Sequence, residues 1–185
     1  MTSRLLIGSG TIVAAMLLGA AMVLIWAPWH TPAPPPPLAT ALPKDCPALL
    51  GMPGPGAMGG GTGPENEPQI DCDWGTPEST GPSPVDSTTT LYPSVAAAQR
   101  ASVAEVTIYQ GPKQGFSLGA DTPVVGIGDE ARITDHDGYL VLVARKANVV
   151  LSIQYTAPDN ADPVANESVL ETAARTIINE VIVGP

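Results

Sequence analysis

Apolar positions follow two regimes along the chain, one continuous run near the N-terminus and spaced apolar residues through the second half. The run, "LLIGSGTIVAAMLLGAAMVLIWAPW" over residues 5–29, carries no charged side chain. A helix of about 20 such residues crosses a hydrocarbon core, so this segment is long enough to span a bilayer. Trp26 and Trp29 stand at its outer end, where indole rings favour the headgroup region. Further on, "ASVAEVTIY" alternates Ala104, Val106 and Ile108 with Glu105 and Thr107, the period of a half-buried strand. "YLVLVAR" (139–145) is apolar on both faces and predicts a more central strand. "NVVLSIQY" returns to alternation, with Val149, Leu151, Ile153 and Tyr155 inward and Ser152 and Gln154 outward. Only "KAN" separates these two, which predicts an antiparallel hairpin with Asn148 at a left-handed turn position. "EARIT" (130–134) is the strand before them, turned by "DHDG" at 135–138.

The last segment reads as a helix. Val169, Ala173, Ile177 and Val181 repeat at i+4, flanked by Leu170, Ala174 and Ile178, while Glu171, Arg175, Asn179 and Glu180 take the opposite side. Asp162 and Pro163 supply a cap and a first-turn proline, and Gly184-Pro185 stops it. A short first helix, "PALLG", is expected to begin at Cys46. The expected fold class is therefore α+β. It comprises an antiparallel sheet of about four to five strands with N- and C-terminal helices on one face, preceded by a single transmembrane helix.

Composition divides the chain further. With 21 Pro and 19 Gly, it is not globular throughout. Residues 1–4 form a tip, 5–29 the transmembrane anchor, and 30–43 a Pro-rich stalk containing "PAPPPP", stiff in the polyproline II sense. Residues 44–185 form one domain, interrupted by a Gly/Pro-rich loop at 51–68 and a polar loop at 75–90, with the main folded body from Leu91 onward.

Arg4 precedes the run and no Lys or Arg follows until Lys44, so the positive-inside bias leaves the tip in the cytoplasm and exports the domain. The competing reading is a cleaved secretory signal, whose nearest small-x-small site, "ATA" at 39–41, lies beyond the prolines. Both readings place the domain outside. Setting Arg4 aside, 7 of the 8 Lys+Arg face 18 Asp+Glu, a net charge of −11. That field repels nucleic acid and anionic headgroups; solubility outside the cell is its first reading, and cationic partners or divalent cations are the alternative.

Two cysteines in an exported chain read as one structural disulfide, Cys46 to Cys72. With two His in all, a zinc ligand set is lacking. Trp74 is expected to pack against the disulfide or the core edge, the alternative being a ring exposed for ligand stacking.

"GFSLG" at 115–119 has the form of a nucleophile elbow, but an elbow serine follows a buried strand and opens a helix. Here "YQGPKQ" precedes it, Pro123 stands where the helix should run, and the only base after Ser117 is His136, in an expected turn. No catalytic residue is assigned. "TDHDGYL" flanks a histidine with two carboxylates, yet Asp-Gly between apolar strands is a hairpin signal, so no metal ligand is assigned either. The glycines of "GAMGGGTG" open no helix, so no phosphate or cofactor site is read there. "NES" at Asn166 matches a glycosylation acceptor but falls inside the helix. In "GIGDEA" (126–131) the glycines allow a bend and Asp129 satisfies backbone amides in it. A binding role for Asp129 and Glu130 is the alternative.

The order of "DCPALLG", "CDW", "VVGIGDEA" and "LVLVARKANVVLSIQY", followed by an amphipathic helix, resembles an actinobacterial envelope lipoprotein family, domain of unknown function 3558. The resemblance covers residues 44–183 apart from the loop around 75–90, and it implies location and architecture without an activity. The chain departs from it in lacking a lipobox cysteine, which leaves a helix rather than a lipid as the anchor.

These readings converge on a single-pass extracytoplasmic module, held in the bilayer by its N-terminal helix, that binds or scaffolds at the cell envelope. A sensor or regulatory ectodomain acting through a membrane partner is the alternative, and an envelope serine hydrolase the third. Mass spectrometry of the native protein is expected to find peptides from residues 5–29; a mature N-terminus at Leu42 would mean that the run is a cleaved signal.

Overall fold

The computed structural model describes residues 36–52, 54–55, 58–75, 85–109, 121–136, 139–156 and 163–184. The chain divides into Met1–Pro35 and Pro36–Pro185, and every described residue belongs to the second unit. The apolar run at 5–29 and Asp162, the expected helix cap, lie outside the described residues. Among these, no helix is long and apolar enough to cross a membrane.

Among the described residues, seven strands form one antiparallel sheet: β1 Met58–Thr62, β2 Pro68–Trp74, β3 Val85–Leu91, β4 Thr122–Pro123, β5 Glu130–His136, β6 Tyr139–Lys146 and β7 Val149–Thr156. Their spatial order is β1-β2-β3-β7-β6-β5-β4. Two helices accompany them, α1 Val95–Tyr109 and α2 Pro163–Asn179.

The composition of β6 explains the layering. Its side chains alternate between the two faces of the sheet, and both sets are apolar. Leu142 and Ala144 join Leu151 and Ile153 of β7 under Leu170, Ala174 and Ile178 of α2. Val141 and Val143 join Val150 under Ala98 and Val106 of α1. The two helices therefore cover opposite faces of a seven-stranded sheet, which corrects the expectation of four to five strands with N- and C-terminal helices on one face; α1 is not the N-terminal helix expected at "PALLG". A strand buried on both sides needs a cover on each, and one helix cannot supply two.

Several finer expectations also change. "ASVAEVTIY" is the second half of α1, not a strand. Ser94 caps that helix by accepting the Ala97 N–H (3.1 Å), and alanines 96, 97, 98 and 101 favour it intrinsically. Its buried positions are Ala98, Ser102 and Val106, four apart, whereas Ile108 is 66% exposed. "PALLG" is not helical: Pro47 O accepts the Trp74 indole N–H at 2.9 Å, and the segment turns with Leu49 O accepting from Met52 N–H. The expected loop at 51–68 contains β1, and the expected loop at 75–90 contains most of β3. The main body thus reaches back to include the cysteine segment. Within α2, Ala173, Ile177 and the neighbouring Val181 are buried as expected, but Val169 lies at the edge of the stripe and is exposed. The disulfide joins Cys46 to Cys72, with Cα atoms 5.9 Å apart, and pins the segment before β1 to β2.

The β6–β7 turn holds the most consequential polar contacts. Ala147, rather than Asn148, takes the left-handed conformation (φ 53°). Asn148 instead points its amide into the core, where Oδ1 accepts the Ala39 N–H (2.7 Å) and Nδ2 donates to Ala39 O (3.1 Å) and Tyr92 O (2.7 Å). The Tyr92 N–H returns a bond to Asn148 O at 2.8 Å. Ala39 also bridges Val183, and the Gly184 N–H donates to Leu38 O. The end of the expected stalk is therefore built into the domain, beside the C-terminus.

Asn148→Ala takes this partner from the buried N–H and C=O of Ala39 and from the part-buried Tyr92 carbonyl, at about 1–3 kcal/mol for each group that water cannot reach. A urea melt is expected to show a loss of at least 2 kcal/mol, roughly, with amide exchange accelerated first at Ala39. A silent substitution would show that water readily reaches this junction.

Candidate functional site: an acidic groove on the sheet

Strand alternation places one set of side chains from each strand on the face that α1 shares. The registers Asp71↔Thr88 and Asp73↔Asp86, followed by Thr88↔Ser152 and Asp86↔Gln154, put these residues together on that face. Helix α1 packs over β5, β6 and β7, away from the β1–β3 end. What remains there is a groove of 560 Å³, lined among others by Asp71, Asp73, Asp86, Thr88 and Gln154, with Glu105 of α1 on its rim. Among the described residues, no Lys or Arg lines it.

The carboxylates are not equivalent. Asp71 is anchored: its Oδ1 accepts from Thr88 Oγ1 (2.9 Å) and from Gln69 Nε2 (2.8 Å). Asp73 and Asp86 stand directly opposite each other across the β2–β3 ladder. Like charges in that relation destabilise a sheet. Partial burial, and secondarily the Asp73 carboxylate, raise the pKa of Asp86 above its usual 3.8. Acidity extends toward the start of α1, where burial first and then Glu67, Glu105 and Glu65 raise the Tyr92 phenol above 10.0.

The residues nominated from sequence lie elsewhere. Trp74 has 0% exposure, packs in the core with Cys46 and Cys72, and cannot stack on a ligand. Asp129 and Glu130 hold the β6–β7 turn. Asp129 Oδ2 accepts from Arg145 Nη1 (2.9 Å) and from the Ala147 N–H (2.7 Å), while Glu130 Oε1 accepts from Arg145 Nε (2.9 Å) and Ser102 Oγ (3.1 Å). The amide that Asp129 satisfies is therefore in the neighbouring hairpin, not in its own bend. Gly128 is required there, because a Cβ on it would come within 2.3 Å of Arg145 O at a φ of +58°.

Ser117 and the Asp137-Gly138 pair lie outside the described residues. His136 ends β5, opposite Tyr139. Asn166, in "NES", is 7% exposed within α2. Among the described residues, no group of three or more His, Cys, Asp or Glu is placed to hold a metal ion. A smaller cleft of 320 Å³ lies between α1 and β5–β6, walled by Val103, Val106 and Val143, and it contains the Arg132–Asp121 ion pair.

The groove carboxylates were not singled out from sequence, although one signal was present. "DCD" in "QIDCDW" is a period-2 pair of acids, which a strand places on one face. Asp86 needed the strand register to join them.

No protein-family model matches the chain. No curated protein and no solved structure matches it either.

Asp86→Asn removes one of the two facing charges. With its folded-state pKa raised above 3.8, Asp86 takes up its proton more readily when folded, so its ionisation costs stability as pH rises through that folded value. At neutral pH the variant is expected to be more stable by about 0.2–1 kcal/mol. The gain should vanish at about pH 3, where both states are protonated. Urea melts at the two pH values test this, and a gain that persists in acid would separate it from the charge pair.

Proposed function

We propose that this protein is a membrane-anchored, extracytoplasmic binding module of the cell envelope whose acidic groove receives a cationic partner. It works by association and carries out no chemistry of its own. The observation that supports this most directly is the facing pair Asp73 and Asp86, in a groove also lined by Asp71 and Glu105 and, among the described residues, by no Lys or Arg. Such a pair is unfavourable in the free protein and is relieved when positive charge enters between the carboxylates. The acids are spread along strands rather than clustered as a coordination shell, so several separated positive charges suit the groove better than a single ion, which draws six to eight oxygens at about 2.3–2.6 Å if it is calcium. The anchor in this reading is the run at 5–29, and the net charge of −11 beyond it steers cations toward the domain at low salt.

The test uses the full chain in a non-ionic detergent and a fluorescent octalysine probe. Affinity is expected to fall as salt rises, since exposed charges are screened beyond about 8 Å at physiological ionic strength. The double variant Asp73→Asn/Asp86→Asn should bind about tenfold more weakly, equivalent to two exposed ion pairs of about 0.7 kcal/mol each. Salt-independent binding, or a double variant that binds as the wild type does, would sink this reading. Ester turnover that disappears in Ser117→Ala or His136→Ala would replace binding with catalysis.

A further inference from the structure

The groove opens onto one edge of the sheet, and that edge differs from the other. At the far side β4 is two residues long and ends in Pro123, which limits its use as a pairing edge. At the near side β1 is five residues, "MGGGT", with exposed glycines at 59, 60 and 61. It pairs with β2, and no other strand pairs with it among the described residues.

The register shows which backbone groups are left over. The Gly63 N–H donates to Glu67 O at 2.7 Å, so positions 63 and 67 form a hydrogen-bonded pair. Antiparallel ladders alternate bonded and non-bonded pairs, which makes Gly61↔Gln69 and Gly59↔Asp71 bonded, and Thr62↔Pro68, Gly60↔Ile70 and Met58↔Cys72 non-bonded. Pro68, which has no N–H, falls at a non-bonded position, as this pattern requires. The amides and carbonyls of Met58, Gly60 and Thr62 therefore point away from β2, free of the ladder.

The glycines also leave the groove open toward this edge. Gly59 lies on the same face as Asp71, and a Cβ on it would sit 3.6 Å from Asp71 Oδ2; one on Gly61 would be 3.9 Å away. Any larger side chain at these positions would stand between the edge and the Asp71 carboxylate. A further strand would lie about 4.8 Å beyond β1, with every second side chain on the groove face. A lysine or arginine stem is long enough to cross a bare glycine strand from there.

We propose that the partner docks as an extended basic segment, hydrogen-bonded to Met58, Gly60 and Thr62 of β1, with alternate Lys or Arg side chains crossing Gly59 and Gly61 to the groove carboxylates. This rests on the binding function proposed above and specifies the partner as a peptide strand added to the sheet. A second copy of the chain is a poor occupant, because it would bring another net charge of −10 and the same carboxylates to the same edge.

The test uses the full chain in non-ionic detergent with an octapeptide alternating Lys and Thr, and its backbone N-methylated counterpart, which keeps the charges and loses the donors. The plain peptide is expected to bind about tenfold or more tightly than the methylated one. Gly60→Pro removes an outward N–H without breaking a β1–β2 bond, and should weaken the plain peptide by a similar factor. Gly60→Ala, whose Cβ meets nothing within 4 Å, should bind as the wild type does. Equal affinity for both peptides, with loss only in Asp73→Asn/Asp86→Asn, overturns edge docking and leaves the acidic groove standing. Failure of the wild type to bind either peptide overturns both. A dimer that Gly60→Pro dissociates and the peptide does not compete with assigns the edge to a second copy, and also overturns the proposal.

Discussion

The buried amide of Asn148 fixes where four parts of the chain meet. It holds Ala39, near the start of the domain, and Tyr92, between β3 and α1, from its own place in the β6–β7 turn. Ala39 in turn bridges Val183, beyond α2. Because Asn148 turns inward, the left-handed position falls to Ala147, which gains nothing from that conformation. The strain is offset by neighbours: Asp129 accepts the Ala147 N–H and Arg145 donates to its carbonyl. Lys146, the residue before, sends Nζ to Ile178 O and Val181 O and so satisfies carbonyls at the end of α2. On the opposite face, Glu130 links Arg145 to Ser102 of α1. One tight turn thereby sets the position of both helices. The groove depends on it too, since α1 supplies Glu105 to the rim and leaves the β1–β3 end uncovered.

The parts of the fold legible from sequence are those in which period and apolar character coincide. In β6 and β7 nearly every inward position is Val, Leu, Ile or Ala, and in α2 the buried positions include Leu170, Ala173, Ala174, Ile177 and Ile178. Where polar residues carry the pattern, an apolar reading fails. β3 is "VDSTTTL", whose alternate inward positions Ser87 and Thr89 are nearly fully buried hydroxyl residues, so their period-2 signal is invisible on a hydropathy scale. β1 has three glycines and no period at all; it is a strand because β2 offers it a ladder. In α1 the apolar residues Val103 and Ile108 lie on the exposed side while Ser102 is buried. A short window there showed alternation, and the alanines and the Ser94 cap upstream carried the better information.

The candidate site follows a similar division. Charges that stood out in sequence, Asp129 and Glu130 in a glycine-bounded motif, are engaged with Arg145 and the turn. Their conspicuous setting reflects a close approach of backbones at Gly128. The groove acids stood out less because each sits in an ordinary strand context, and only the β2–β3 register brings Asp73 against Asp86. The disulfide was legible from the count of two cysteines, and its place beside the buried Trp74 explains why that ring is in the core and not at a surface.

Two costs therefore fall at the same end of the sheet, a like-charge pair across β2–β3 and an edge strand whose glycines neither pack nor shield it. Gly in a strand interior weakens the strand, and an open edge invites unwanted pairing. Elsewhere the same sheet avoids such costs, with a two-residue edge at β4 and carboxylates matched to Arg132 and Arg145. Stability alone gives no reason to concentrate both at one end. A strand-shaped partner of opposite charge would remove both together, because its backbone completes the ladder while its side chains neutralise the groove. The acidity of the rest of the chain then has a second consequence, since it discourages the edge from pairing with its own copies.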